Sequence, residues 1–346
     1  MEPIKLSGLE ISENRTPAII AEMSGNHNQS LERALSIVEA AGKAGAHMIK
    51  LQTYTADTMT IKGAHKITDK GSLWEGQELH ELYGKAYTPW EWHKEIFEQS
   101  RKMGMIPFSS PFDHTSVDFL EELNVEIYKI ASFENTDIPL LEKVASTGKP
   151  VIMSTGATTL AQLDDAVNTL FKHGCSKLVL LKCTSTYPAS PESTNLLTIP
   201  HMKELYGCQV GLSDHTMGIG VAIASVGLGA SVIEKHFTLR RADGGVDSAF
   251  SIEPEELQSL VTESERAFLA LGEVSYGVGD SEKAAVAYKR SIYVSKNLAP
   301  GDTLNADNIR VIRPGFGLEP KYYSKVIGRK VQRAVQAGTP LTWDIV

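Results

Sequence analysis

Only three of the 346 residues are cysteine, Cys175, Cys183 and Cys208, and they share no paired spacing. That argues against a disulfide framework, and a reducing cytoplasm is the expected setting. Cys183, inside an apolar run, reads as packing. No apolar stretch reaches the roughly 18 residues of a membrane span, so no membrane partner is expected. The first residues, Met-Glu-Pro-Ile-Lys, lack the charged-then-apolar layout of a secretion signal. Basic runs and aromatic platforms are missing too, which argues against nucleic acid as a partner. Charge is unevenly spread. Residues 281–346 hold 11 Lys and Arg against 5 Asp and Glu, a local +6 that leaves −14 on the rest of a chain of net charge −8. Such a basic tail suits docking onto an acidic body, its own or a partner's.

What is present is a globular composition, 42% hydrophobic and 22% charged, able to bury a full core. The length fits a barrel of about 250 residues plus a small module. Eight apolar segments read as strands: Ala18–Glu22, Met48–Gln52, Ile106–Ser109, Ile127–Ile130, Pro150–Ser154, Leu178–Cys183, Val210–Ser213 and Ser231–His236. Amphipathic stretches such as Leu31–Ala44, Leu160–His173 and Gly218–Leu228 lie between them. Near-continuous apolar strands in strict alternation with helices predict a (β/α)8 TIM barrel. An open doubly wound sheet would carry a Gly-rich turn after its first strand, and Ser24-Gly25-Asn26-His27 is not one.

The connection Thr53–Met105 is unusually long, as functional lids over a barrel mouth are. Within it, Trp90 and Trp92 read as packing the helix Trp90–Lys102 onto the barrel, and Trp74 as a substrate contact. A last helix, Pro254–Leu271, precedes a Gly-rich stretch, Gly272–Asp280. The expected division is a barrel over 1–275, a linker over 276–288 and a β-rich module over 289–346. In that module Val335–Leu341 echoes Leu298–Leu304.

Residues at the carboxyl ends of barrel strands line the active site in this fold. Here they are Glu22, Lys50, Gln52, Ser110, Lys129, Ser132, Ser154, Ser185, Tyr187, Asp214, His215, Glu234 and His236. Two lysines among hydroxyls suit phosphate and carboxylate oxygens. His215 and His236, ending neighbouring strands, are placed to share a divalent metal. Each residue also has a plainer reading. Glu22 and Lys50 could form a structural ion pair, and Lys129 could be a Schiff-base lysine. Glu234 could orient a water or act as a base, and Ser154-Thr-Gly156 could be an ordinary turn or an anion-binding concavity.

Six segments together resemble the sialic acid synthase family. They are Ala21-Glu-Met-Ser-Gly-Asn-His27, Ile49-Lys-Leu-Gln-Thr53, Tyr128-Lys-Ile-Ala-Ser-Phe-Glu134, Met153-Ser-Thr-Gly156, Gly211-Leu-Ser-Asp-His-Thr216 and Ile233-Glu-Lys-His-Phe-Thr238. Residues from about 289 to 346 resemble its antifreeze-like (SAF) domain. Gly71-Ser-Leu-Trp-Glu-Gly76 and Ala86-Tyr-Thr-Pro-Trp-Glu-Trp92 look more like the branch that makes pseudaminic acid than those making N-acetylneuraminic or legionaminic acid.

The resemblance implies condensation of phosphoenolpyruvate with an open-chain N-acetylated amino sugar, here 2,4-diacetamido-2,4,6-trideoxy-L-altrose. The products would be a nine-carbon 2-keto acid and phosphate. It implies a phosphoenolpyruvate site of Lys50, Ser110, Lys129, Ser132, Ser154, Ser185 and Tyr187. Many family members carry Asn at the position of Ser185. Sugar contacts would come from Gln52, Trp74 and Asp247, and from Arg313 of the other subunit of a domain-swapped homodimer. His215 and His236 would hold Mn2+ or Mg2+, and Glu22 or Glu234 would be the catalytic carboxylate. A Schiff-base aldolase on Lys129 is the rival enzyme class. A metal-dependent hydrolase would carry an early His-x-His pair, which is absent. A carbohydrate-binding module on an inert barrel leaves two lysines and two histidines at one rim unexplained.

Overall fold

The computed structural model describes residues 2–68, 70 and 74–346. It falls into two compact units, Met1–Gly272 and Glu273–Val346. The first opens with a short antiparallel hairpin, β1 (Ile4–Leu6) and β2 (Leu9–Ile11), which the sequence pattern did not suggest. Eight parallel strands follow: β3 (Ala18–Glu22), β4 (Met48–Thr53), β5 (Ile106–Pro111), β6 (Tyr128–Ile130), β7 (Val151–Ser154), β8 (Leu178–Cys183), β9 (Gln209–Asp214) and β10 (Val232–His236). They close into a barrel in chain order, with β10 pairing back onto β3. The expected (β/α)8 barrel is therefore present, and every expected strand recurs within a few residues.

Helices alternate with the strands: α1 (Leu31–Lys43), α2 (Ala56–Met59), α3 (Leu79–Ala86), α4 (His93–Lys102), α5 (His114–Glu122), α6 (Ile138–Ala145), α7 (Leu160–Lys172), α8 (Thr198–Tyr206), α9 (Gly220–Val226) and α10 (Pro254–Leu271). Local chemistry sets several starts. Ser30 accepts from the Arg33 N–H at the head of α1, and reciprocal capping boxes open α5 (Asp113, Ser116) and α7 (Thr159, Gln162). Each such cap stabilises its helix by about 1 kcal/mol. The long connection after β4 holds α2, α3, a 3-10 turn at Trp90–Trp92, and α4, so the helix expected from Trp90 starts as a tighter turn. Trp90 stacks on Phe119 at 4.7 Å, and Trp92 packs against the outer core, as the packing reading required. Of the Gly71–Gly76 motif, residues 71–73 lie outside the described residues.

Two cores explain where the site sits. The larger fills the space between strands and helices, with Ile19, Ala21, Ile49, Leu51 and Tyr128 facing Ile37, Phe97, Leu120 and Leu141. The smaller lies inside the barrel: Ile20, Met48, Phe108, Ile152, Leu181 and Val232, joined by Ile4 and Ile11 of the hairpin. The hairpin thus plugs the amino-terminal mouth. Side chains two residues further along each strand share the inward face, and there the lining turns from apolar to charged. One layer below, at the apolar level of Leu181 and Val232, Gly211 lets β9 come close, since a Cβ there would lie 2.2 Å from the Val232 carbonyl oxygen.

The second unit pairs β11 (Ser291–Val294) with β12 (Ile309–Ile312) and carries α11 (Tyr323–Val326). Ile292, Val294, Leu304, Ile309, Leu341 and Ile345 form its core. The two echoing segments bond each other through reciprocal Leu298–Val335 hydrogen bonds of 2.8 and 2.9 Å. Within the stretch read as a linker, Asp280–Tyr288 forms an exposed 3-10 helix. Among the described residues no helix is long and apolar enough to cross a membrane.

Candidate active site

The inward pleat places Glu22, Lys50, Ser110, Lys129, Ser154, Cys183, Ser213 and Glu234 at one level near the carboxyl ends of the strands. All are nearly inaccessible to solvent. Lys50 is 2.5 Å from Glu22 and donates to Ser110 at 3.4 Å. Lys129 donates to Ser154 Oγ at 2.7 Å and to the Ile130 carbonyl at 3.1 Å, and lies 3.7 Å from Glu234. Ser213 donates to the same Glu234 oxygen at 3.1 Å. The Glu22–Lys50 ion pair is therefore real, but it stands inside a larger charged cluster rather than alone.

Burial pushes the Glu22 carboxyl up to about 7, against the pull of Lys50. Glu234 is buried as deeply, yet Lys129 and Lys50 together outweigh that burial and hold it below the ordinary carboxylate range. Burial opposes charge on both lysines. In Lys50 the two carboxylates overcome it and the pKa rises, whereas in Lys129 burial wins and the pKa falls. Nearby carboxylates with diverging environments mark separable acid–base and electrostatic roles.

Beside Lys129 and Ser154 two hydroxyls pack against a position that lacks a side chain. A Cβ on Gly156 would meet Ser185 Oγ at 2.2 Å and Ser132 Oγ at 2.8 Å. The Gly156 N–H donates to Ser132 Oγ at 3.1 Å. Asn135, fully buried, donates to the carbonyls of Ser154 and Gly156 at 3.2 Å each and accepts from Thr158 at 2.6 Å. It ties the turn after β7 to the loop after β6. The Ser154-Thr-Gly156 segment brings a hydroxyl to a lysine, while its Gly156 N–H is held by Ser132 and its Thr155 N–H by the Leu181 carbonyl.

At the next level His215 and His236 face each other with ring centroids 5.3 Å apart. His215 Nδ1 donates to the Thr184 carbonyl at 2.9 Å, which leaves Nε2 as the lone-pair nitrogen. Burial opposes charge on His215, but the Cys183 sulfur beside it raises its pKa. His236 is driven well below its ordinary value by burial and by the cations around it. Its Nδ1 is buried without a hydrogen-bond partner, 3.9 Å from Asp247. An orphaned buried lone pair costs about 1–3 kcal/mol, and a cation would satisfy it. The donors fit a divalent metal. Among the described residues no three His, Cys, Asp or Glu side chains form a metal cage, so other ligands would be water or substrate.

The sugar candidates of the first unit are linked through shared partners. Gln52 donates to Glu22 at 2.8 Å and to Ser24 at 3.1 Å; Ser24 in turn bonds Asp247, whose carboxyl burial raises. Tyr187 packs on His215 at 4.5 Å, and Trp74 lies 6.0 Å from Tyr187 with its indole N–H on the Val246 carbonyl. Arg313 is an exposed residue of the second unit, whereas the cluster is built wholly from the first.

One strand-end reading is corrected. Asp214 points outward and forms a buried pair with Lys235 at 2.8 Å, so it belongs to the wall and not the site. Cys183, read as packing, is buried and follows Val179 and Leu181 on the inward face, with its sulfur 3.7 Å from Ser185 Oγ and 3.9 Å from His215 Nδ1. Counting by two along β8 would have found it. Asn135, Ser24 and Ser213 also lacked notice, because nothing but tertiary contact singles them out.

Fold and rim together define a (β/α)8 barrel enzyme whose mouth gathers two lysines, several hydroxyls and two imidazoles. The NeuB family model matches residues 37–276, and the SAF domain model matches 289–346. The chain belongs to the NeuB family, whose named members are synthases, and it carries a C-terminal SAF domain. Pseudaminic acid synthase of Helicobacter pylori is 42% identical over 331 residues, 95% of this chain and 97% of that protein. N,N'-diacetyllegionaminic acid synthase of Legionella pneumophila is 35% identical, with 98% of each chain covered. A crystal structure of N-acetylneuraminic acid synthetase from Leptospira borgpetersenii, in complex with citrate, matches with TM-score 0.74 and 33% identity, covering 83% of this chain and 96% of that one.

Proposed function

We propose that the chain is a pseudaminic acid synthase, condensing phosphoenolpyruvate with 2,4-diacetamido-2,4,6-trideoxy-L-altrose in the cytoplasm. The observation that carries the reading is the gathering at one rim of Lys50 with the Ser110 hydroxyl, Lys129 with the Ser154 hydroxyl, and the Ser132 and Ser185 hydroxyls at the bare edge of Gly156. That arrangement suits a small ligand bearing both a carboxylate and a phosphate. The choice of sugar is supported by 42% identity to a pseudaminic acid synthase against 35% to a legionaminic acid synthase.

Lys50, Lys129 and the serines would hold the two anionic groups and turn C3 of phosphoenolpyruvate towards the sugar's C1 aldehyde. A divalent cation on His215 and His236 would supply Lewis-acid polarisation of the aldehyde oxygen, with Mn2+ better suited to imidazole than Mg2+. As the new C–C bond forms, positive charge grows at C2. Glu234, kept ionised by the lysines, offsets it. Glu22 takes the proton of the water that adds there. The C2–O bond to phosphate then breaks as the C2 hydroxyl gives up its proton and becomes the ketone. Lys129 and Ser154 compensate the leaving charge, and the former aldehyde oxygen gains the proton that the water lost. Arg313 of a second copy, in a domain-swapped homodimer, belongs to the same reading; its support is the family resemblance and the exposure of that residue.

The test is the product. Mass spectrometry of the incubated substrates should show the nine-carbon 2-keto acid, and borohydride quenching should leave Lys129 unmodified. A reduced adduct on Lys129 would favour the aldolase. Product from N-acetylmannosamine alone would overturn the choice of sugar.

A further inference from the structure

Two lysines face outward from the barrel wall near the carboxyl ends of their strands, and only one has an acid beside it. Lys235 on β10 is paired with Asp214 at 2.8 Å. Lys182 on β8 continues the outward column of Leu178 and Leu180, both part of the outer core, so its stem enters apolar surroundings. Its Nζ donates to the Cys183 carbonyl at 2.8 Å and to Thr184 Oγ1 at 3.3 Å. An ammonium has three N–H donors, and the third meets no acceptor among the described residues. Burial lowers the Lys182 pKa, and no carboxylate beside it counters that burial.

This half-buried lysine opens on a cavity of about 380 Å³ on the outer side of the wall, between the ends of β7 and β8 and the helices α7 and α8. The volume is in the range that holds a small organic ligand. None of Lys50, Lys129, His215 and His236 lines it, so it is separate from the rim inside the barrel. The lining includes Lys182 and His201 but no Asp or Glu, and its apolar walls come from Leu160 and Leu163 of α7 and Met202 and Leu205 of α8. A cation with an unused donor, no acid and apolar walls around it suits a ligand with one negative charge on an apolar body. A dianion would leave a charge unmet against those walls.

We infer that this cavity is a second ligand site, outside the reacting centre, which takes a small carboxylate with an apolar body on the Lys182 ammonium. The inference does not depend on the proposed function.

4-Phenylbutanoate and 4-phenylbutanamide share an apolar body and differ in charge. Isothermal titration calorimetry of the full chain should show the carboxylate bound about tenfold or more tighter than the amide. Lys182→Met keeps an unbranched side chain in the column and should abolish that preference. Leu160→Glu changes an exposed residue in the first turn of α7, where a helix accepts an acid, and sets a negative charge on the cavity wall. It should weaken the carboxylate about tenfold and leave the amide unchanged. Neither change touches Lys50 or Lys129, so a carboxylate held at the rim would keep its affinity in both variants. No binding by the parent chain, equal affinity for carboxylate and amide, or parental preference in a Lys182→Met variant that folds by circular dichroism would overturn the assignment. Should Lys182→Met fail to fold, Leu160→Glu decides alone, and parental affinity there overturns it.

Discussion

Gly156→Ala probes the hydroxyls beside Gly156 with the smallest possible change. The backbone at Gly156 needs no left-handed conformation, so an alanine introduces no strain of its own. What it does introduce is a methyl group 2.2 Å from Ser185 Oγ and 2.8 Å from Ser132 Oγ. Both oxygens sit at the ends of rotatable side chains, so they can swing aside and the fold survives. The hydroxyl arrangement does not, because the methyl drives both oxygens away from the edge of Gly156. Loss of one hydrogen bond to a charged group costs about 1.5–3 kcal/mol. At about 1.4 kcal/mol per tenfold, that raises the KM for phosphoenolpyruvate by about 10- to 100-fold. The melting temperature should move little, and the KM for the sugar should change far less. A variant with parental KM for phosphoenolpyruvate would refute the placement of the anion beside Gly156.

Other outcomes follow from the same geometry. Asn135→Ala removes two bonds of 3.2 Å that hold the Ser154–Gly156 turn, without touching the anion itself. It should raise the KM for phosphoenolpyruvate about tenfold with kcat less affected, and an unchanged KM would show that the turn holds itself. Lys235→Met takes the cation from Asp214 and leaves it only its bonds from Thr216, and urea unfolding should show a loss of about 3 kcal/mol. Glu39→Ala, which breaks the exposed pair with Lys43, should cost less than about 0.5 kcal/mol in the same assay. Electron paramagnetic resonance of added Mn2+ should show binding by the parent chain and none after His215→Ala or His236→Ala, whatever happens to turnover. Undiminished binding by both variants would move the metal elsewhere.

The barrel was legible because its strands are buried on both faces and announce themselves as apolar runs. The rim was legible for a related reason: each inward column that begins Ile20, Met48 or Ile152 ends in a charged or hydroxyl residue at Glu22, Lys50 or Ser154. Strand ends were harder to place. Asp214 sits one residue before His215, and a one-residue step in a strand reverses the face, so reading "near the end" mixed a wall residue with a site residue. Cys183 was read as packing from composition, and its place beside Ser185 and His215 follows only from its register with Leu181 on the inward face. The hairpin at Ile4–Ile11 is too short for a periodic signal, and its role as a plug depends on where the barrel mouth lies. Asn135 acts only through two backbone carbonyls on a different loop, which no local pattern encodes.

The most direct test of the central claim is phosphate release from phosphoenolpyruvate by the full chain with Mn2+, measured with each candidate sugar and with none. One phosphate should appear per molecule of 2,4-diacetamido-2,4,6-trideoxy-L-altrose consumed, with none in its absence. Release without any sugar, or release with N-acetylmannosamine but not with the diacetamido sugar, would contradict the account.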